Sequence, residues 1–179
     1  MSPVFQEVAL WDRLATELSQ GLHWGPATAV FLLLSAWWVK GPLLVGFGAC
    51  VDVRDRRRLP FTAAGATVAV LLGSVLSGAI KELVGRVRPP VADPNVVALG
   101  ALPDTPSFPS GHATTAFAAA AAIGALHPRL RAPLYALAAL VGLSRIYLGV
   151  HYTLDVVAGA ALGVALGLAV AWTIRRLMP

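Results

Sequence analysis

Charge is the first thing this sequence has little of. Asp, Glu, Lys and Arg make up 13% of its 179 residues, about half the share usual in soluble globular chains. Cysteine is almost missing as well. Cys50 is the one example, which excludes an intrachain disulfide framework and any multi-cysteine metal site. What fills the space is apolar. Hydrophobic residues make up 57% of the chain, and the mean hydropathy is +0.72. A soluble domain of this length has too little core to hide that surface. The composition therefore excludes a secreted mini-protein, a disordered tail and a water-soluble enzyme. It predicts one polytopic membrane domain over residues 1–179.

The net charge of +5 does not point to nucleic acid. The bases come in short bursts between apolar runs: Arg54, Arg56, Arg57 and Arg58, then Arg86 and Arg88, then Arg129 and Arg131, then Arg175 and Arg176. There is no basic stripe interleaved with aromatics, so no nucleic-acid partner is expected. Bursts between spans are what the positive-inside rule produces.

Periodicity and breakers divide the chain. Val4, Val8, Trp11, Leu14, Ala15 and Leu18 recur at helical spacing among Glu7, Asp12, Arg13 and Glu17. This predicts an amphipathic helix over residues 1–23 lying at the membrane surface. A cleaved signal peptide fits poorly, because acids interrupt the stretch and no basic start precedes it. Residues 24–53 are strongly apolar apart from Lys40-Gly41-Pro42. Thirty helical residues reach about 45 Å, too short for two spans of roughly 30 Å each. One long span kinked near Pro42 is expected, with two half-spans as the alternative. Lys40 then lies in the outer half and must reach water or a polar cavity.

Further spans are expected at 60–80, 112–126, 132–149 and 153–174. Small residues (Gly65, Gly73, Ser74, Ser77 and Gly78) suit close packing of the first of these. Residues 81–109 carry six prolines and read as a loop. The fold is thus an all-α helical bundle of five spans plus the surface helix. Three basic bursts fall on the cytoplasmic side. The acid-rich N-terminal helix, the 81–109 loop and the 149–152 turn share the extracytoplasmic side.

Three polar clusters meet on that second side, between residues 81 and 155. Lys81 and Arg88-Pro89 form K-x6-R-P. Pro109-Ser110-Gly111-His112 follows. Ser144-Arg145 with His151 and Asp155 forms S-R-x5-H-x3-D. Lys81 and Arg88 could be plain helix anchors, but the positive-inside rule keeps bases off this face. Arginine as a planar fork and lysine as a point charge suit a phosphate. Ser110 reads as a helix cap, and a helix N-terminus with a glycine lets an anion approach backbone N–H groups. His151 and Asp155 are i,i+4 neighbours. Asp155 can accept the proton on one imidazole nitrogen and leave the other lone pair for substrate. Such a neutral histidine can take a phosphoryl group. His112 supplies the acid for the leaving oxygen. His23 and His127 lack this company and read as structural.

The three clusters resemble the signature of the type 2 phosphatidic acid phosphatase family, membrane relatives of the vanadium haloperoxidases. All parts occur in order, with the family's internal spacings. The resemblance implies that Lys81, Arg88 and Arg145 hold the phosphate oxygens, with Ser110 and the Gly111 backbone completing the cradle. It implies that His151 attacks phosphorus, that Asp155 orients His151, and that His112 protonates the leaving group and then activates water. It implies no metal and no other cofactor. Near the motifs the acids Glu82, Asp93, Asp104 and Asp155 are scattered, which agrees with that. Some members have six spans, and this is the alternative helix count.

The expected function is therefore hydrolysis of a lipid phosphate in a bacterial plasma membrane, with the site facing the extracytoplasmic side. Polyprenyl diphosphate is the first candidate substrate; phosphatidylglycerol phosphate and phosphatidic acid are alternatives. The apolar residues Val96, Val97, Leu99 and Leu102 let the 91–109 segment border the lipid entrance. A transporter or flippase for an anionic lipid would use the same cations but leave the His151–Asp155 pair unexplained. It would also be expected to show an internal repeat. A silent lipid-binding protein would not need an intact reaction set.

Overall fold

The computed structural model describes residues 3–39, 41–56 and 60–177; of residues 3–9 it describes the backbone alone. Lys40, Arg57 and Arg58 lie outside the described residues, and so does the expected environment of Lys40. Every regular element is helical among the described residues. In chain order they are α1 (Pro3–Gln20), α2 (Gly25–Leu34), α3 (Pro42–Arg54), α4 (Phe61–Val84), the short α5 (Pro89–Ala92), α6 (Gly111–Leu126), a 3-10 turn at Pro128–Leu130, α7 (Arg131–Tyr147) and α8 (Thr153–Leu177).

The helix at 112–126 is the axle of the bundle. Alanine, the strongest helix former, dominates α6. Ala118 to Ala122 and Ile123 are all buried, and α4, α7 and α8 pack around it. The approach of α8 is very close. A Cβ added at Gly159 would lie 2.6 Å from the Ser110 carbonyl oxygen. Gly163 and Gly167, one and two turns further along, meet the α6 backbone even more tightly. Spaced four apart, these glycines form one backbone-wide stripe that lets two helices touch without side chains between them. On α4, Gly73 and Ser77 turn inward while Ser74 is exposed and Gly78 faces open space.

The outside of the bundle is the reverse of a soluble protein. Val68, Leu71, Val75 and Leu83 on α4 and Val157, Leu168 and Trp172 on α8 are exposed. The segments Phe61–Ala92 and Thr153–Leu177 are long and apolar enough to cross a membrane.

Capping explains several ends. Asp52, buried in α3, accepts from the Thr62 and Ala63 backbone N–H groups at 3.1 and 2.9 Å. It thereby satisfies the first turn of α4. Gly85 ends α4 with φ at +61°, a conformation that glycine adopts without strain. Pro128 stops α6 just after His127.

The stretch 24–53 departs from the kinked single helix expected of it. It is broken, not bent: α2 ends at Leu34 and α3 starts at Pro42, with turns between. Pro42 occupies the first turn of α3, where its missing N–H costs nothing. Ten and 13 residues reach only about 15 and 20 Å. The half-helix alternative describes this segment better.

Helix α1 is amphipathic, but inverted. Asp12, Thr16 and Ser19 are buried against the bundle, whereas Trp11 and Leu18 are 70% and 72% exposed. A polar stripe thus faces protein, while the outward side carries these apolar residues together with the exposed Arg13 and Glu17. The bundle thus has two polar ends. One collects Asp55, Thr62, His127 and Arg175. The other collects α1, the 85–109 segment and the 148–152 turn.

Candidate active site

The second of those ends contains all eight residues singled out in the sequence. Lys81, in the last turn of α4, donates to the carbonyls of Pro106 and Ser107. Arg88, the residue before α5, is buried. It donates from Nε to the Thr105 carbonyl at 2.8 Å and from Nη1 to the Val150 carbonyl at 2.7 Å. The 105–107 carbonyls therefore hold two cations side by side. Arg145, in the last turn of α7, is 5% exposed, and its Nε has no hydrogen-bond partner. Its backbone carbonyl accepts from the N–H groups of Val150 and His151 at 3.2 and 3.3 Å. That closes the turn which carries His151.

The protonation of His151 follows from its neighbours. Arg88 Nη1 lies 3.2 Å from Nε2, and Asp155 Oδ2 lies 3.4 Å from Nδ1. A guanidinium has only donors, so Nε2 is the acceptor and Nδ1 carries the proton toward Asp155. Burial pushes the His151 imidazole down to about 4; Arg88 and Arg145 push the same way, and Asp155 opposes them. His151 is therefore neutral, with its Nε2 lone pair on the side of the cations. The Asp155 carboxylate is wholly buried and also accepts from the Tyr152 N–H at 3.0 Å.

Ser110 is the cap expected of it: its Oγ accepts from the Ala113 N–H at 3.5 Å. Its own N–H donates to the Asp155 carbonyl at 2.9 Å, which joins the start of α6 to the start of α8. Gly111 is half-buried, with Ser77 Oγ 3.5 Å from where its Cβ would be. His112 Nε2 donates to the Ser35 carbonyl, 3.0 Å away at the α2 terminus. His112 and Arg145 line one cavity of ≈ 300 Å³ together with Leu32, Trp37, Leu99 and Pro103. The 91–109 segment therefore borders this cavity. It is pinned by the Leu99 N–H to the Leu148 carbonyl and by the Val97 N–H to Gln20.

His23 and His127 are bound elsewhere. His23 lies 2.9 Å from the Tyr147 carbonyl and edge-on to the Tyr147 ring. His127 contacts Thr62 Oγ1 at 2.9 Å and Asp55 at the opposite end. No group of three or more His, Cys, Asp or Glu side chains converges as a metal site among the described residues.

Two residues that the sequence reading passed over reach the site. Arg86 donates to Asp155 Oδ1 and to Asp12 Oδ2, each at 2.6 Å. Asp12 in turn accepts from the Leu154 N–H at 2.9 Å. The run Asp12, Thr16, Ser19 was a visible polar stripe, but nothing in it named a partner.

Comparison with known proteins gives a consistent picture. Residues 62–179 match the PAP2 superfamily. A lipid A 1-phosphatase of Rhizobium etli is 37% identical over 102 residues, covering 52% of this chain and 42% of that protein. A decaprenylphosphoryl-5-phosphoribose phosphatase of Mycobacterium tuberculosis is 41% identical over 128 residues, covering 70% of this chain and 66% of that protein. The chain spans roughly 40 to 66% of the length of such relatives. The fold is similar to that of a transmembrane PAP2-type phosphatidylglycerolphosphate phosphatase from Bacillus subtilis. The TM-score is 0.80 at 24% identity, with 99% of this chain and 89% of that one covered.

Proposed function

The chain belongs to the PAP2 superfamily, and from that premise we propose that it is a membrane lipid phosphatase with His151 as nucleophile. The observation that carries this is the state of His151. It is a buried, neutral imidazole whose Nδ1–H points to Asp155 and whose Nε2 faces Arg88. A polyprenyl-anchored lipid is the proposed substrate class, with polyprenyl diphosphate first. The decaprenyl lipid in the name of the mycobacterial relative supports the tail. Phosphatidylglycerol phosphate and phosphatidic acid are the alternatives.

The substrate phosphate draws Arg88 off the Nε2 lone pair and onto a phosphate oxygen. Lys81, Arg145 and the N–H groups at the start of α6 take the other oxygens, and these fixed charges stabilise the transition state. Nε2 attacks phosphorus, and the bond to the leaving oxygen breaks. His112, as imidazolium, protonates that oxygen. It then takes a proton from water, which attacks phosphorus, breaks the P–N bond and frees His151. Fixed cations do the work of a metal in this scheme. The site faces the extracytoplasmic side, since the end rich in Arg54, Arg129 and Arg175 faces the cytoplasm.

The test is phosphate release by detergent-solubilised protein on a panel of farnesyl diphosphate, phosphatidylglycerol phosphate and phosphatidic acid, with chelator present. Activity that survives chelator and is lost in His151→Ala is expected. Full activity in His151→Ala would sink the assignment.

A further inference from the structure

Arg86 plays no part in the steps above, yet it is held by two carboxylates at this end of the bundle. Nη1 bonds Asp155 Oδ1 and Nη2 bonds Asp12 Oδ2, both at 2.6 Å. Its guanidinium stacks 4.0 Å above the Tyr152 ring. Both terminal nitrogens are thus committed to carboxylates, and this separates Arg86 from the phosphate-facing cations. Asp155 divides its two oxygens: Oδ1 goes to Arg86, and Oδ2 goes to His151 Nδ1 and the Tyr152 N–H. Asp12 is equally divided, with Oδ2 on Arg86 and Oδ1 on the Leu154 N–H at the start of α8. Both carboxylates are buried, at 3% and 0% side-chain exposure.

We propose that Arg86, clamped by Asp12 of α1, is a positioning residue that fixes the Asp155 carboxylate and through it the protonation of His151. This rests on the nucleophile reading of His151. The physical reason is charge as well as geometry. Asp12 and Asp155, both buried, share the partly exposed Arg86 guanidinium, whereas Lys81 and Arg88 act on Asp155 only through space. Removing Arg86 leaves two buried carboxylates facing each other, and one of them takes up a proton. A protonated Asp155 donates to Nδ1 instead of accepting from it. The imidazole proton then sits on Nε2, and the lone pair that attacks phosphorus is gone. Asp12 stabilises the right form only while Arg86 is present; without Arg86 it does harm.

That reversal gives the experiment. Phosphate release from farnesyl diphosphate in detergent is measured as kcat and KM across pH 4–9 for wild type, Arg86→Met, Arg86→Lys, Asp12→Asn and the double variant. His151→Ala is run alongside. Arg86→Met is expected to lower kcat about 100-fold with KM within about threefold. The acid limb of kcat/KM should move to higher pH. Arg86→Lys, which keeps the charge, should recover at least about tenfold of the loss. Adding Asp12→Asn to Arg86→Met should raise kcat above that of Arg86→Met alone, because the second carboxylate is removed while the side-chain oxygen still accepts from Leu154. A role in folding alone makes the double variant no better than the single one and leaves the pH profile unmoved; that result overturns the proposal. If Arg86→Met does not fold, Asp12→Asn decides: a wild-type kcat and pH profile in that variant overturns the proposal. If His151→Ala stays active, the nucleophile reading fails and takes this proposal with it. If His151→Ala is dead while every Arg86 variant behaves as wild type, this proposal alone fails.

Discussion

Gly159→Ala adds one methyl group where helices α6 and α8 touch, and its cost can be worked from the structure. The new Cβ would sit 2.6 Å from the Ser110 carbonyl oxygen and 3.0 Å from Thr114 Oγ1. Neither can simply swing away: the carbonyl is backbone, and Thr114 Oγ1 is hydrogen-bonded to that same carbonyl at 2.9 Å. Ordinary contact requires α8 to retreat by about 0.8 Å. The Ser110 N–H to Asp155 carbonyl bond, now 2.9 Å, would stretch to about 3.7 Å and stop being a good hydrogen bond. Overpacking of this kind costs about 1–3 kcal/mol, or about 2–12 °C in melting temperature for a chain of this size. Asp155 sits one helical turn away, so His151 moves with it, and a shift of this order lowers kcat by about 10-fold or more. The assay is thermal unfolding in detergent, with phosphate release measured on the same preparation. Gly78→Ala is the control, since nothing lies within 4 Å of a Cβ there; it should match or exceed wild type. Unchanged melting and unchanged kcat in Gly159→Ala would refute the idea that backbone contact holds the two halves of the site in register.

Three further outcomes are expected. His151 is neutral in the folded protein down to about pH 4, against about 6.5 in an unfolded chain. The acid limb of kcat/KM should therefore fall below pH 6.5, and activity should be lost as protonation removes the Nε2 lone pair. Between about pH 4 and 6.5 the unfolded chain binds a proton that the folded one refuses, so this group makes stability rise with pH across that window. A pH series of kcat/KM and of denaturation midpoints checks both. Asp52→Ala should cost about 1–2 kcal/mol, because two N–H groups at the start of α4 lose their acceptor. Its kcat should stay near wild type, since α4 meets the site at its other end; melting and turnover measured together separate the two effects.

The arrangement of the candidate site was legible in the sequence where it is local. His151 and Asp155 are four residues apart, and that short spacing lets them meet even though His151 precedes the first residue of α8 and is held by the turn before it. Ser110 before an alanine run reads as a cap, and it is one here. Lys81 and Arg88 could be read as a pair because so few cations compete with them. Two things were not legible. Hydropathy sums apolar character over 24–53 and does not sense where the backbone turns, so the break between α2 and α3 was replaced by a bend. The Asp12–Arg86–Asp155 chain joins residues far apart in sequence, and only packing brings α1 across the bundle to close it. The inversion of α1 belongs with this. The spacing of Trp11, Leu14 and Leu18 marked an apolar face correctly, but the side of the helix that protein would cover could not be read from the pattern.

The axle of alanine and glycine has a thermodynamic consequence. Between helices in lipid there is no hydrophobic drive to association, so tight packing must come from contacts that are cheap to order. Alanine and glycine have no side-chain rotamers to lose when buried, whereas Leu and Met give up about 0.5–2 kcal/mol each. Ala118, Ala121 and Ala122 against Gly163 and Gly167 therefore associate almost free of side-chain entropy.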